Sequence, residues 1–118
     1  MNIQWITIKT AHYEESKAFY TDRLGMTPVN EFSPSEGITI CFLQADNGMQ
    51  IELLSDPAVT ASREASGVSI GMQTDRYDAL LAHAKEDELL HSGPMVLGGS
   101  LECFFMKDPG GVLLQLFK

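Results

Sequence analysis

A phrase of apolar strand, tight turn and apolar strand occurs twice in this chain, and that repetition limits the possible folds more than any other feature. Cys103 to Leu116 reads CFFMKDPGGVLLQL, with Asp108-Pro109-Gly110-Gly111 as a turn-forming run at its middle. Cys41 to Leu53 reads CFLQADNGMQIEL. Aligned on the cysteines, Cys41-Phe42 answers Cys103-Phe104 and Asp46 answers Asp108. After a turn one residue longer in the later copy, Gly48 answers Gly111, Glu52 answers Gln115 and Leu53 answers Leu116. Upstream, Tyr13 answers Tyr77 and the segment around Trp5 answers that around Ser69, at an offset between 62 and 64 residues. A spacing held across four elements implies one module, duplicated.

Each copy spells the same order of elements. Ile3 to Lys9 alternates as a strand, with Ile6 and Ile8 on one side and Trp5 and Thr7 on the other. His12 to Leu24 reads as a helix with Glu14 and Glu15 in its first turn, Arg23 in its last and Gly25 as its stop. Met26 to Phe32 and Gly37 to Gln44 read as strands joined by the turn-rich connector SPSEG, and Met49 to Leu54 as a third. The first half, residues 1–54, is therefore β-α-β-β-β. Residues 55–66 are small and polar and read as a linker. Residues 67–118 repeat the order. Val68, Ile70 and Met72 mark a strand, and Asp75 is placed to cap a helix reaching about Glu86 with Tyr77, Leu80, Leu81 and Ala84 inward. Acidic Glu86, Asp87 and Glu88 oppose the dipole there and predict a frayed last turn. A short strand from Leu89 to Ser92, a Gly/Pro loop from Gly93 to Ser100 and the hairpin complete the copy.

A length of 118 residues suits one compact domain holding both modules. With 44% hydrophobic residues the chain is globular rather than disordered, and no apolar run nears the ~20 residues of a membrane span. A net charge of −8 argues against nucleic acid and anionic membranes as partners. Two cysteines within apolar strands suit buried free thiols and a cytoplasmic location.

A β-α-β-β-β unit covers one face of its sheet with its helix and leaves the other bare. The expected class is α+β: two βαβββ modules forming a curved mixed sheet with a cleft, helices on the outer face. Strand alternation then nominates the lining. Trp5, Thr7, Glu52, Ser69, Leu113 and Gln115 turn cleftward, and Trp5, Glu52, Ser69 and Gln115 hold repeat-related places.

The segments ITIKTAHYEESKAFYTDRLGM, NGMQIELL and KDPGGVLLQL resemble the vicinal oxygen chelate superfamily, which includes glyoxalase I, bleomycin-resistance proteins and extradiol dioxygenases. The resemblance spans essentially the whole chain. It implies paired βαβββ modules, a homodimer, and in the enzymes a metal held by a His or Gln on the first strand of each module and a Glu on the last. At those positions this chain has Trp5, Ser69, Glu52 and Gln115. An indole offers a cation no lone pair, serine is a weak ligand for zinc or iron, and one carboxylate cannot complete a site. No metal and no other cofactor is expected.

Other residues offer little chemistry. His12 reads as a turn cap, His83 as a flank residue of the second helix, and His91 as the one histidine near the cleft. Cys41 and Cys103 read as packing residues, not nucleophiles. Gly98-Gly99 and Gly110-Gly111 are turns, since neither opens a helix. Glu52 needs a partner, and Ser69 and Gln115 are candidates. The expected function is a metal-free homodimer that binds or sequesters a small apolar ligand, basic if Glu52 faces it, without catalytic residues. A metal-dependent lyase or isomerase using Glu52 and His91, or a non-catalytic regulatory subunit, is the alternative.

Overall fold

The computed structural model describes residues 1–59 and 67–118. The chain divides into two compact units, Met1–Ala61 and Ser62–Lys118. Each carries a four-stranded mixed sheet and one helix, the α+β architecture read from the sequence.

The first unit runs β1 (Trp5–Thr10), α1 (Tyr13–Ala18), β2 (Thr27–Ser35), β3 (Ile38–Gln44) and β4 (Gln50–Ser55), with strand order β1-β4-β3-β2. β1 lies parallel to β4, and the other neighbours are antiparallel. After Ala18 the helix widens into a π-helical turn, Phe19–Arg23, closed by Leu24 N–H donating to the Phe19 carbonyl at 3.1 Å. Gly25, at φ 76°, ends it where a side chain would be strained. Phe19 and Tyr20 from this turn are buried, as are Ile8, Cys41, Leu43, Ile51 and Leu53 of the sheet, and together they form this unit's core. Each such large apolar side chain contributes about 1.5–3 kcal/mol when removed from water.

Three expectations for this unit change. The first strand starts at Trp5, leaving Ile3 exposed. Ser33, Pro34 and Ser35 of the supposed connector belong to β2, and only Glu36 and Gly37 turn the chain. β2 is an edge strand with a register shift between Phe32 and Ser35, where a proline lacking its N–H breaks no ladder. His12 stands at the helix start, yet its side chain caps nothing; its backbone N–H donates to Thr10 Oγ1 at 2.9 Å.

The second unit runs β5 (Ile70–Gln73), α2 (Tyr77–Glu86), β6 (Leu90–Leu97), β7 (Leu101–Lys107) and β8 (Leu113–Phe117), ordered β5-β8-β7-β6. Tyr77, Leu80 and Ala84 of α2 pack toward Phe104, Met106, Leu114 and Leu116 in its core. Asp75 makes no side-chain cap; Arg76 takes that place, with its N–H on Thr74 Oγ1 at 3.0 Å. The last turn is closed rather than frayed, because Asp87 N–H donates to the His83 carbonyl and Leu89 N–H to that of Ala84. His83 is buried, not on a flank: it stands three and one residues from Leu80 and Ala84 on the same helical stripe. The supposed loop after Ser92 is strand, since β6 continues through a bulge at Gly93 and Pro94 to Leu97.

Register also corrects the alignment of the two copies. Ala45 N–H donates to the Met49 carbonyl and Gly48 N–H to that of Ala45; Asp108 N–H donates to Val112 and Gly111 N–H to Asp108 in the same way. Both turns are thus five residues long, and Ala45, not Asp46, corresponds to Asp108. Phe42 pairs with Glu52 as Phe105 pairs with Gln115, and Cys41 with Leu53 as Phe104 with Leu116. The two cysteines are not equivalent, and aligning on them slips the match by one residue. Of the expected linker, Ser55 ends β4, and residues 60–66 lie outside the described residues.

Candidate functional site

In each sheet one face is closed by its helix, and strand alternation sends every second residue to the other face. In the first unit Ile8 and Leu53 lie on the helix side, so their neighbours Thr7, Glu52 and Phe42 stand in one row across the bare side. One step along, Trp5 pairs with Gln50 and Gln50 with Gln44. Contacts confirm that these residues share a side. The Thr7 hydroxyl donates to Glu52 Oε1 at 2.6 Å, and Gln50 Nε2 donates to Gln44 Oε1 at 3.2 Å. The Trp5 and Phe42 rings meet edge to face, centroids 5.5 Å apart at 88°. Trp5 remains 48% exposed. Lys9 stands on the same face beside Leu54.

The bare face of the second unit is plainer. Gly71 pairs with Gln115 and Gln115 with Phe105. Gln115 Nε2 lies 3.5 Å from the buried Cys103 sulfur. Leu113 is half-buried beside Lys107, and Ser69 is exposed just before β5 begins. The structure thus groups Trp5, Thr7 and Glu52 on one sheet, and places Gln115 and Leu113 on the other with Ser69 at its margin. Thr7 satisfies the Glu52 oxygen for which Ser69 and Gln115 had been candidates. Phe42 was missed by the sequence reading. Counting outward from the five-residue turn would have set it opposite Glu52.

Across the first sheet, on the helix side, lies a polar cluster. Tyr13 Oη donates to Glu31 Oε2 at 2.6 Å and Lys17 Nζ to the same oxygen at 2.7 Å. Those two donors hold the Glu31 carboxyl below the usual carboxylate range, Lys17 first. Burial, then the Glu31 bond, pushes the Tyr13 phenol up, and the Glu31 bond raises Lys17. Burial also pushes the Cys41 thiol up, which keeps it protonated and unreactive. Cys41 and Cys103 are both free and buried.

Metal chemistry finds few donors. Among the described residues no group of three or more His, Cys, Asp and Glu side chains is placed to hold an ion. His91 is exposed, its Nδ1 3.2 Å from Ser92 Oγ. Among the described residues no helix is long and apolar enough to cross a membrane.

Comparisons with known proteins agree with this architecture. The trypanothione-dependent glyoxalase I of Leishmania major superposes with a TM-score of 0.78 at 20% identity, covering 100% of this chain and 86% of that one. A glyoxalase family protein from Enterococcus faecalis gives 0.75 at 20% identity, covering 99% and 97%. The fosfomycin resistance protein of Listeria monocytogenes, as an E126Q mutant complexed with Mn(II) and 1S,2S-dihydroxypropylphosphonic acid, gives 0.75 at 13% identity over 98% and 90%. At such identities the likeness is one of fold. No curated protein sequence matches the chain. The Glyoxalase/Bleomycin resistance protein/Dioxygenase superfamily model matches residues 2–116, and the chain belongs to that superfamily.

Proposed function

We infer that this protein binds a small molecule without a metal, and that it sequesters or carries its ligand rather than transforming it. The observation behind this reading is the donor set on the bare faces. A metal site of the superfamily's enzymes would need ligands at Trp5 and Ser69, where an indole and an exposed hydroxyl stand. Glu52 is the one carboxylate at the four positions, and Thr7 already donates to one of its oxygens. A structural zinc or iron site requires about four such donors, and a catalytic one about three. What the face offers instead is aromatic surface beside one acid, which suits an apolar ligand bearing a basic group. Trp5, Thr7 and Glu52 are the assigned contacts in the first module, and Ser69, Leu113 and Gln115 in the second. The protein acts as a homodimer. The exposed apolar side chains Val29, Phe32, Val96 and Leu97 on the edge strands β2 and β6 provide surface for pairing.

Thermal shift separates this reading from metal-dependent lyase chemistry. A ligand that binds only the native state raises its melting temperature. Aromatic amines and related antibiotics should raise it, whereas Ni, Zn, Mn and Fe at equal concentration should not. A stoichiometric transition metal bound near Glu52 would overturn the metal-free assignment. Trp5→Ala should abolish the organic shifts, and their persistence would remove Trp5 from the site. Sedimentation velocity checks the dimer.

A further inference from the structure

Resting on that binding function, the geometry points to a protonated amine carried a bond or two from a flat ring as the ligand's recognised group, held on the first module alone by Glu52, Trp5 and Phe42. Phe42 belongs to this site because it is the strand partner of Glu52 and meets Trp5 edge to face at 5.5 Å. The two rings, nearly perpendicular, make a corner, and Glu52 stands opposite Phe42 in the ladder. Thr7 donates to Glu52 Oε1 at 2.6 Å, which fixes the carboxylate and turns its second oxygen into the acceptor available to a ligand. One fixed acceptor beside aromatic faces matches an ammonium attached to a ring: the N–H bonds the carboxylate while the rings attract both the cation and its apolar neighbour.

The neighbouring rows contribute no competing acid. Gln50 and Gln44 are bonded to each other on one side, and Leu54 and Ile40 stand on the other with Lys9 beyond. The second module cannot offer the same recognition, because its corresponding places hold Gln115 for Glu52, Gly71 for Thr7 and Ser69 for Trp5. It keeps only the ring, Phe105.

Trp5 is the sole tryptophan of the chain, so its fluorescence, excited at 295 nm where phenyl probes do not absorb, reports on this corner directly. The probes are 2-phenylethylammonium and the uncharged 2-phenylethanol, titrated against the wild-type chain, Glu52→Gln and Thr7→Val. The ammonium should bind about tenfold more tightly than the alcohol, the gain of one charge-assisted hydrogen bond. E52Q should raise the ammonium Kd to that of the alcohol. It changes a net charge of −8 by one unit, so the protein's overall field cannot account for such a loss. T7V should shrink the preference about threefold by freeing the carboxylate, an order-of-magnitude expectation for one neutral hydrogen bond. Equal affinities in the wild type, or a preference that survives E52Q, would overturn the cation assignment while leaving small-molecule binding intact. Failure of the ammonium to bind would also overturn the cation assignment, whereas small-molecule binding as such stands or falls with the thermal-shift comparison.

Discussion

The two modules share a backbone and disagree about how to use it. In the first, Tyr13 from α1 reaches across to Glu31 of β2, and Lys17, one helical turn on, joins the same oxygen. In the second, Tyr77 takes the place of Tyr13 and Leu81 that of Lys17, while the strand position facing Phe104 is the Gly93–Pro94 bulge rather than an acid. Tyr77 is buried against Phe104, ring centroids 5.1 Å apart, and among the described residues its hydroxyl has no partner. A Cβ on Gly93 would sit 3.1 Å from the Phe104 Cα, and its φ of 96° also favours glycine, so the close approach of the two strands requires glycine there. One copy anchors its helix by charge and hydrogen bonds, and the other by aromatic packing. Duplication fixed the ladder, and each helix was then free to find its own adhesive.

The largest effect should come from the place where the copies differ most in volume. Cys41 and Phe104 occupy the same register, both with 0% exposure. Phe104→Ala should cost about 3–5 kcal/mol by emptying the space under Tyr77, whereas Cys41→Ala should cost about 1 kcal/mol. Urea unfolding of the two variants measures the difference, and equal losses would refute the contrast. Next come the turns. Asp108 is buried, and its Oδ1 accepts from Gly110 N–H at 2.9 Å and Val112 N–H at 2.8 Å. Its counterpart Ala45 has no such group, and the exposed Asn47 accepts one bond from Met49 N–H at 3.2 Å. Asp108→Ala should therefore destabilise by about 2–3 kcal/mol and Asn47→Ala by about 0.5 kcal/mol.

This turn shows what sequence reading could and could not reach. The duplication, the order of elements, the Gly25 stop and the alternation of β4 were all legible, because each follows from local chemistry or from a period of two. The internal alignment was not. Two Cys-Phe pairs matched better by letter than the true partners Cys41 and Phe104, and only ladder hydrogen bonds distinguish the registers. β6 was also hidden, since Gly93 and Pro94 read as loop until an edge position and a bulge make them acceptable within a strand. On the bare face, Trp5, Thr7 and Glu52 were readable from alternation within their own strands. Phe42 was not, because its place depends on pairing across a turn. His83 is hidden from a reading by polarity, although it stands three residues after buried Leu80 on the inward stripe.

Removing one oxygen from each tyrosine sharpens the comparison further, because the two changes should differ in sign. Tyr13→Phe breaks the bond to Glu31 and should cost about 1 kcal/mol. Tyr77→Phe removes a buried hydroxyl that no described residue satisfies, and should be neutral or stabilise by up to about 1 kcal/mol. A loss at Tyr77 comparable with that at Tyr13 would mean that the second hydroxyl has a partner, such as an ordered water, and the modules would be more alike than their side chains suggest.

The smallest effect is the pH dependence of the first module's anchor. Glu31 has its pKa lowered in the folded state, so its contribution is complete above the unfolded carboxylate value, about 4.3, and is lost as pH falls through the depressed folded value. Tyr13 and Lys17 are both raised, so theirs is complete below about pH 10 and declines as pH rises toward their folded values. Stability from this cluster should hold across neutral pH and fall on both sides. Glu31 and Lys17 are partly exposed and screened by solvent, so the total should be about 1 kcal/mol or less. Glu31→Gln should flatten the acid limb of the unfolding free energy between pH 3 and 11 and reduce the alkaline one, because it removes the acid and the main cause of the Lys17 rise while burial still holds Tyr13 up. The same measurement on Tyr77→Phe should change only the alkaline limb, since burial alone raises that phenol most strongly and no carboxylate bonds it. An acid limb altered by Y77F, or an alkaline limb untouched by E31Q, would break the division between a helix held by charge and one held by packing.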